Sequence, residues 1–255
     1  GYAENGFIVT PKVAELWRRA AVTLGDYPGF AEAFLPGGHA PAAGARFINM
    51  ALAKTLRSIA ETKGASFYTG DLAQAICDFA DAHGSALNMA DMAAHRVDWC
   101  GTVSQSFDDI SLHEIPPNGQ GIAALMALGI LSHTSVREMD ADDPAAFHLQ
   151  IEAMKLALAD AETYVADSDY MTDVSTEALL DADYLKARAA LIDPTRAQDF
   201  KAGAPKHGGT VYLTVGDASG MMVSFIQSNY AGFGSGVVIP GTGIAMQNRG
   251  AGFSL

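Results

Sequence analysis

The chain has 255 residues, of which 49% are hydrophobic and 18% are charged. This balance is sufficient for a packed core and excludes global intrinsic disorder. Sixteen Lys and Arg residues against 29 Asp and Glu residues give a net charge of −13. Because such a surface repels phosphate backbones and anionic membranes, we expect neither a nucleic-acid partner nor a membrane partner.

Three further features bear on topology and compartment. Cys77 and Cys100 match no zinc-binding spacing, and we expect two buried thiols in preference to the one disulfide they could form. The apolar run Gly121–Leu131 is too short to span a bilayer. No signal peptide follows Gly1 and both ends look cut, so we interpret the chain as a segment of a longer protein. Localisation stays open between periplasm and cytoplasm.

Helical spacing dominates the first two thirds of the chain. The first start signal is clear, because Pro11 occupies a first helical position after the candidate N-cap Thr10. The predicted helices are Pro11–Leu24, Leu52–Thr62, Asp71–His83, Asn88–Ala94, Pro144–Asp167, Thr176–Leu180 and Asp183–Leu191, with a loop over Pro36–Gly44.

The helix predicted over Pro144–Asp167 rests on an apolar stripe with steps of three and four residues. Its members are Phe147, Ile151, Met154, Leu158, Ala161 and Val165. His148 and Glu152 lie off the stripe, four residues apart. This spacing could hold a metal, but without a third ligand it favours a solvated pair, and we expect no metal site.

Composition changes after Phe200. Lys201–Gly209 is small and non-periodic, as in an exposed linker. Beyond it, the predicted strands are Thr210–Gly216, Met221–Ser228, Val237–Ile239 and Ile244–Gln247. Helices followed by strands predict an α+β fold, with helices layered on an antiparallel sheet.

The junction between linker and first strand carries candidate chemistry. Gly208 and Gly209 precede Thr210 directly. If the Gly209–Thr210 bond were cut, Thr210 would carry a hydroxyl together with a free α-amine. That amine titrates at about 8 and can act as the base for the hydroxyl. The glycines admit the strained backbone needed for the hydroxyl to attack the preceding carbonyl. On spacing alone, an ordinary turn is the alternative.

The hairpin register places a second hydroxyl nearby. Pairing Gly216 with Met221 across the turn sets Thr210 opposite Gln227 and beside Ser228, within an error of one residue. A hydroxyl at Ser228 could orient the nucleophile.

Several segments of the chain resemble one known family. Gly209–Asp217, Ser228–Gly236 and the stretch from Gly243-Ile244 to Asn248 and Phe253-Ser254 resemble the start of the small subunit of the γ-glutamyltranspeptidase family. Upstream, Phe67–Gly70, Leu112–Gly121 and Ile151–Asp160 resemble the later part of its large subunit, in the same order.

The resemblance implies part of the α/β/β/α sandwich of the N-terminal-nucleophile hydrolases. Residues 1–209 would end a large subunit and residues 210–255 would begin a small one, within a single structural unit that is self-cleaved at Gly209–Thr210. In this scheme Thr210 is the nucleophile, its freed amine is the general base, and Ser228 supports the nucleophile. The scheme uses no metal and no organic cofactor.

The chain departs from transpeptidases at three aligned positions. Tyr230 stands where they keep an Asn that contacts substrate, Arg249 where they keep a Gln, and Gly252 where they keep the Asp that pairs with the substrate's α-ammonium. We therefore expect Asn229, Tyr230 and Arg249 to bind substrate, with Arg249 holding an acyl group that ends in a carboxylate. A surface or structural ion pair is the alternative for Arg249.

These patterns predict a self-processing, Thr-dependent amidase or acyltransferase that cleaves γ-glutamyl amides of the glutathione type, with transfer to water or an amine. One alternative is a glutaryl- or cephalosporin-type acylase, and another is an unprocessed, non-catalytic interaction module. We expect the large and small subunits of one precursor to form a heterodimer. The resemblance places further site residues outside the segment, so the segment alone is expected to be inactive.

Overall fold

Helices and short antiparallel strand pairs alternate along the computed structural model, which describes residues 1–200 and 210–252. The α-helices are α1 (Tyr2–Asn5), α2 (Pro11–Leu24), α3 (Phe30–Phe34), α4 (Met50–Glu61), α5 (Ala65–Tyr68), α6 (Asp71–Ala82), α7 (Met89–Ala94), α8 (Gly121–Leu131), α9 (Pro144–Tyr164), α10 (Thr176–Leu179) and α11 (Ala182–Ala189). The strands are β1 (Phe7–Ile8), β2 (Arg46–Phe47), β3 (Val103–Phe107), β4 (Ile110–Glu114), β5 (Thr210–Gly216), β6 (Met222–Ser228), β7 (Val238–Ile239) and β8 (Ile244–Ala245). This content confirms the predicted α+β class.

The strands pair in order as four antiparallel ladders, β1–β2, β3–β4, β5–β6 and β7–β8. The chain divides into two compact units, Gly1–Arg96 with Lys206–Leu255, and Val97–Pro205. The predicted linker Lys201–Gly209 lies outside the described residues, and the subunit boundary at Gly209–Thr210 stays a prediction.

Aromatic side chains form one core of the first unit. Trp17 on α2 is 3% exposed, and its indole nitrogen donates a hydrogen bond to the Phe34 carbonyl oxygen at 3.0 Å. Phe233, from the loop after β6, lies 5.3 Å from the Trp17 ring and 4.9 Å from the Phe34 ring, centroid to centroid. Ring pairs at such distances add about 0.5–1.5 kcal/mol beyond the area they bury. The loop after β6 is therefore held against helices α2 and α3.

The helical unit Val97–Pro205 is built around α8. Ile122, Leu125, Met126 and Ile130 are all fully buried, and a helix that is apolar on every side belongs in a core. The run Gly121–Leu131 is therefore a core helix. None of the helices that the structure describes is both long and apolar enough to cross a membrane.

Helix α9 confirms the predicted helix, but its buried face is not the predicted stripe. Phe147 and Ile151, on the stripe, are 50% and 57% exposed, whereas Leu149, Ala153 and Leu156 are buried. The packed face is rich in alanine, and these small side chains allow the neighbouring helix to approach closely. Periodicity finds a helix, but it does not choose between two faces that both carry apolar residues.

A hairpin over β3 and β4 was not predicted. Val103, Gln105 and Phe107 are half-buried on one face and alternate with exposed serines, so the polar Gln105 interrupts the apolar alternation. The two-residue turn is Asp108-Asp109, with Asp108 at a φ of +54°. Asp-Asp is a much weaker hairpin signal than Asn-Gly or Asp-Gly.

The β5–β6 pairing differs from the predicted one by one residue, which is the error allowed for it, and the predicted nearness of Thr210 to Gln227 and Ser228 is confirmed. Gly216 pairs with Met222 rather than Met221, and the Asp217 nitrogen donates to the Met221 carbonyl oxygen at 3.0 Å. The loop thus has three residues and ends at Gly220, whose φ of +85° is typical of a bulge that follows a type I turn. Thr210 therefore pairs with Ser228.

The two cysteines are free and differ in exposure. Cys77 on α6 is buried, which raises the pKa of its thiol. Cys100 is exposed, so the expectation of two buried thiols is wrong for it. It follows Trp99, which is 99% exposed, in a segment without regular secondary structure.

Candidate functional site

Thr210 and Ser228 lie directly opposite each other at the open end of the β5–β6 hairpin. Thr210 begins β5 and Ser228 ends β6. The structure describes Thr210 by its backbone, and Gly209 lies outside the described residues. The two predicted catalytic residues are therefore neighbours across the ladder, while their roles and the cleavage of Gly209–Thr210 stay predictions.

The turn after Ser228 is held by its own side chain. The Tyr230 backbone nitrogen donates a hydrogen bond to Ser228 Oγ at 2.9 Å. Tyr230 has a φ of +76°, a left-handed conformation that costs a residue other than glycine about 1–2 kcal/mol. The hydroxyl of Ser228 thus stabilises a strained turn that ends strand β6 and directs the chain away from it.

A second segment, which contains Asn248, is hydrogen-bonded to the turn after β6. Asn248 Oδ1 accepts a hydrogen bond from the Ala231 nitrogen at 3.0 Å, and the Asn248 nitrogen donates to the Asn229 carbonyl oxygen at 3.1 Å. Through these two bonds, Asn248 joins the turn after β6 to the segment that contains Arg249. Sequence reasoning did not single out Asn248 as a site residue. The only sequence feature that could have pointed to Asn248 was its position next to Arg249, in a segment that resembles the family.

Arg249 lies against Tyr230. Its guanidinium carbon is 5.7 Å from the centroid of the Tyr230 ring, a cation–π arrangement. Within the part of the chain that the structure describes, no carboxylate forms an ion pair with Arg249. The structure therefore brings Asn229, Tyr230 and Arg249 together and leaves an exposed cation, suited to a carboxylate ligand.

Gly252 ends the short 3-10 turn Arg249–Gly252. It is exposed, and among the residues that the structure describes a Cβ built on it would meet no atom within 4 Å. A side chain at this position would displace none of the described residues.

The prediction of a solvated pair at His148 and Glu152 is wrong. Glu152 is fully buried and accepts hydrogen bonds from Lys155 and the Gln198 nitrogen, and His148 bonds the Asp193 carbonyl oxygen. Both side chains are used for contacts within the helical unit. Over residues 1–200 and 210–252, no group of three or more His, Cys, Asp or Glu residues could hold a metal ion.

A cavity of about 180 Å³ lies beside the start of α4, with Glu32, Asn49 and Pro240 in its lining. None of Ser228, Asn229, Tyr230 and Arg249 lines it. Asn49 Oδ1 caps α4 by accepting from the Leu52 nitrogen at 2.9 Å. The amide nitrogen of Asn49 has no partner among the described residues, but it is itself buried, so the cavity does not present it to a ligand.

Comparison with known proteins shows which family and which relatives this chain resembles. The family model for gamma-glutamyltranspeptidase matches residues 1–255. The oxamate amidohydrolase proenzyme of Klebsiella pneumoniae is 40% identical over 255 residues, which cover 100% of this chain and 48% of that protein. The glutathione hydrolase-like YwrD proenzyme of Bacillus subtilis is 36% identical over 258 residues, covering 100% and 48%. The chain thus spans about half the length of these curated relatives.

Superposition on solved structures gives the same result as the sequence comparisons. The cephalosporin acylase from Bacillus halodurans superimposes with a TM-score of 0.88 at 43% identity, over 99% of this chain and 47% of that one. The γ-glutamyltranspeptidase of Helicobacter pylori superimposes with a TM-score of 0.70 at 26% identity, over 77% and 57%. These matches confirm the predicted fold, that of the N-terminal-nucleophile hydrolases. With the family model matching along its whole length, this chain belongs to the γ-glutamyltranspeptidase family.

Proposed function

We propose that this chain supplies the nucleophile and part of the acyl-binding site of a self-processing amidohydrolase, with Thr210 as the nucleophile. The observation that carries the proposal is the backbone pairing of Thr210 with Ser228, next to the turn that Asn248 links to Arg249. Two relatives are named as proenzymes, which supports maturation by cleavage.

In self-cleavage, the hydroxyl of Thr210 is the attacking group. Thr210 Oγ attacks the Gly209 carbonyl carbon, the C–N bond to Thr210 breaks as the nitrogen takes up a proton, and an ester joins Gly209 to Thr210 Oγ. Water then hydrolyses this ester, which leaves a carboxylate on Gly209 and a free amine on Thr210. The two chains remain together as the large and small subunits of a heterodimer.

Turnover repeats this chemistry on a substrate. The free amine of Thr210 removes the hydroxyl proton, and Oγ attacks the amide carbonyl. The amine leaving group takes up the proton as the acyl-enzyme ester forms. Water or an acceptor amine then releases the acyl group and restores the Thr210 hydroxyl. Since an N-terminal amine titrates at about 7.7–8.0, kcat/KM should rise with pH until that amine is neutral.

The substrate class is an amide whose acyl group ends in a carboxylate. Arg249 offers a planar, permanently charged fork for that carboxylate, and the Tyr230 ring supports the fork from one side. Glycine at position 252 supplies no carboxylate for an α-ammonium group. A dicarboxylic acyl group such as glutaryl is therefore favoured over γ-glutamyl. The similarity to a cephalosporin acylase and an oxamate amidohydrolase supports this direction.

Intact mass spectrometry of the full-length protein tests the nucleophile. We expect two chains, one ending at Gly209 and the other beginning at Thr210. Thr210→Ala should give one uncleaved chain, and Thr210→Ser, which keeps a hydroxyl, should still be cleaved. A wild-type protein that stays whole under folding conditions would instead support a non-catalytic interaction module.

A second assay tests the substrate class. Turnover of γ-glutamyl-p-nitroanilide is compared with turnover of the glutaryl analogue that lacks the amine. We expect the glutaryl compound to give the higher kcat/KM. Preference for the γ-glutamyl compound by orders of magnitude would show that Arg249 and Gly252 do not set specificity.

A further inference from the structure

The loop that follows β6 runs beside residues 246–249, and we call this loop, residues 229–237, the return loop. The Ser235 nitrogen donates a hydrogen bond to the Met246 carbonyl oxygen at 2.9 Å. The Met246 nitrogen donates to the Val237 carbonyl oxygen, also at 2.9 Å. At this end of the return loop, backbone bonds fix the two stretches to each other.

The other end of this contact depends on the side chain of Asn248. Asn248 Oδ1 accepts a hydrogen bond from the Ala231 nitrogen at 3.0 Å, and the Asn248 nitrogen donates to the Asn229 carbonyl oxygen at 3.1 Å. Asn229 and Ala231 are the two neighbours of Tyr230, whose backbone is left-handed. One residue thus holds the chain on both sides of Tyr230, and that residue directly precedes Arg249.

The position of Arg249 depends on the same end of the contact. Its guanidinium carbon lies 5.7 Å from the centroid of the Tyr230 ring. Its backbone nitrogen donates to Gln247 Oε1, and the Asn248 carbonyl oxygen accepts from the Ala251 nitrogen at 3.1 Å. An arginine side chain has much rotamer freedom to lose, so it needs a fixed backbone and a fixed neighbour to hold one position. Asn248 contributes to both, because it bonds the backbone on either side of Tyr230 and adjoins Arg249.

The return loop is also tied to the strand of the proposed nucleophile. Thr210 pairs with Ser228 across the β5–β6 ladder, and Ser228 Oγ accepts a hydrogen bond from the Tyr230 nitrogen at 2.9 Å. A short path of hydrogen bonds and neighbouring residues therefore leads from the start of β5 to Asn248 and Arg249. Every member of this path belongs to the same compact unit.

We propose that Asn248 is a positioning residue of the acyl-binding site: it sets the place of the Arg249 guanidinium relative to the strand that begins with Thr210. This inference rests on the proposed function, because it needs Arg249 to hold the carboxylate that ends the acyl group. Once that carboxylate is held, the amide carbonyl meets the nucleophile only if the spacing between the two groups is right. A displacement of about 1 Å can cost about 100-fold in rate. Asn248 acts through Arg249 and does not itself contact the substrate.

The test is a double-variant cycle on the full-length, self-cleaved enzyme, with kcat/KM for glutaryl-p-nitroanilide as the readout. Asn248→Ala removes the side-chain acceptor, and we expect a loss of about fivefold from the displaced guanidinium. In enzyme that already carries Arg249→Gln, the same change should alter kcat/KM by less than about twofold, because the group that Asn248 positions is absent. Losses that multiply would show that Asn248 acts independently of Arg249, which would overturn the inference.

A neutral substrate separates positioning from general damage to the site. In this second compound a carboxamide replaces the terminal carboxylate of the glutaryl group, so the length is kept and the charge is removed. Asn248→Ala should change kcat/KM for the neutral compound by less than about twofold, because a carboxamide forms no charge-assisted fork with Arg249. Equal losses on the two compounds would mean that the variant disturbs the site as a whole, and this result would also overturn the inference.

Ser235 offers a matched control at the far end of the same contact. Ser235 Oγ donates to the Met246 carbonyl oxygen at 2.9 Å and accepts from the Val237 nitrogen at 3.2 Å. Ser235→Ala therefore removes side-chain bonds of the return loop without touching the end near Arg249. Thermal unfolding compares the stability of the two variants, and the control should keep kcat/KM within about twofold of wild type on both compounds. An equal loss of glutaryl turnover in the control would overturn the assignment to Asn248.

Asn248→Ser covers failure of the Ala variant to fold, which conversion to two chains and thermal unfolding both report. The serine hydroxyl accepts hydrogen bonds but is shorter than the amide, so we expect a loss of about threefold on the glutaryl compound, again absent in the Arg249→Gln background. Wild-type turnover in every Asn248 variant that folds would overturn the inference and leave the proposed function intact. Wild-type glutaryl turnover in Arg249→Gln itself would overturn the proposed substrate class and the inference together.

Discussion

Ser228 and Tyr230 form one structural unit: the hydroxyl oxygen of Ser228 accepts a hydrogen bond from the Tyr230 nitrogen at 2.9 Å. The same serine pairs with Thr210 across the β5–β6 ladder. A change at Ser228 is thus expected to affect both the neighbour of the nucleophile and the turn that carries Tyr230.

Replacing Ser228 with Ala should lower kcat/KM of the full-length enzyme about tenfold, because one stabilising hydrogen bond worth ~1.4 kcal/mol is lost at the site. Steady-state kinetics on the glutaryl substrate measures the effect. Ser228→Thr keeps the hydroxyl and serves as the control, which should remain within about threefold of wild type. Equal activities of the Ala and Thr variants would exclude a role for the hydroxyl.

Introducing a carboxylate at position 252 should change substrate preference. Gly252→Asp should raise kcat/KM for γ-glutamyl-p-nitroanilide relative to the glutaryl analogue about tenfold, because the new charge attracts the α-ammonium group of the substrate. The side chain has room among the described residues, since none of their atoms lies within 4 Å of a Cβ built there. Gly252→Asn matches it in size without the charge, and an equal ratio in both variants would contradict the prediction.

Removing the charge of Arg249 should lower activity on the glutaryl compound. Arg249→Gln should lower kcat/KM for the glutaryl compound about tenfold or more, because a fork that binds a carboxylate through two hydrogen bonds is lost. Arg249→Lys keeps the charge but not the fork, and it should fall between wild type and the Gln variant. If the Gln variant matched wild type on this compound, Arg249 would not contact the acyl group.

The left-handed backbone of Tyr230 should be measurable as strain. Tyr230→Asn should raise the free energy of unfolding by about 1 kcal/mol, because Asn adopts a positive φ more readily than Tyr does. Urea unfolding of the full-length protein measures this, with Tyr230→Phe as the control that keeps the ring. The Asn variant also loses the ring beside Arg249, so we expect reduced activity together with greater stability.

Alkaline pH should destabilise the helical unit through Tyr184. Its hydroxyl donates to Asp160 Oδ2 at 2.9 Å, and burial, together with this bond, raises the pKa of Tyr184 to about 12 from an ordinary 10.0. Below pH 10 both the folded and the unfolded state keep the proton. Between pH 10 and 12 the unfolded state releases it first, so the free energy of unfolding contributed by Tyr184 falls as pH rises.

Urea unfolding at about pH 9 and about pH 11 tests this sign. The loss of stability between the two values should be smaller in Tyr184→Phe, which has no proton to release. Tyr170, which is 79% exposed, offers a matched control, and Tyr170→Phe should behave as wild type.

Short-range sequence signals determined much of the fold. Pro11 begins α2 as predicted, although the Thr10 side chain forms no capping hydrogen bond. Apolar spacing of three and four found α9, and a turn between two β-rich runs found the β5–β6 hairpin. Such signals are readable because they depend on neighbours within a few residues.

The sequence by itself also determined the candidate nucleophile and the family, because Gly209-Thr210 and the matched segments follow one another in order along the chain. Tertiary structure alone decided how the parts meet. Gly220 in a left-handed conformation set the hairpin register, packing against α8 selected the buried face of α9, and Asn248 brought Arg249 to the turn at Tyr230. The hairpin register depends on one backbone angle, and the other two findings depend on contacts between residues that are distant in the chain. Local periodicity encodes neither a single backbone angle nor such contacts.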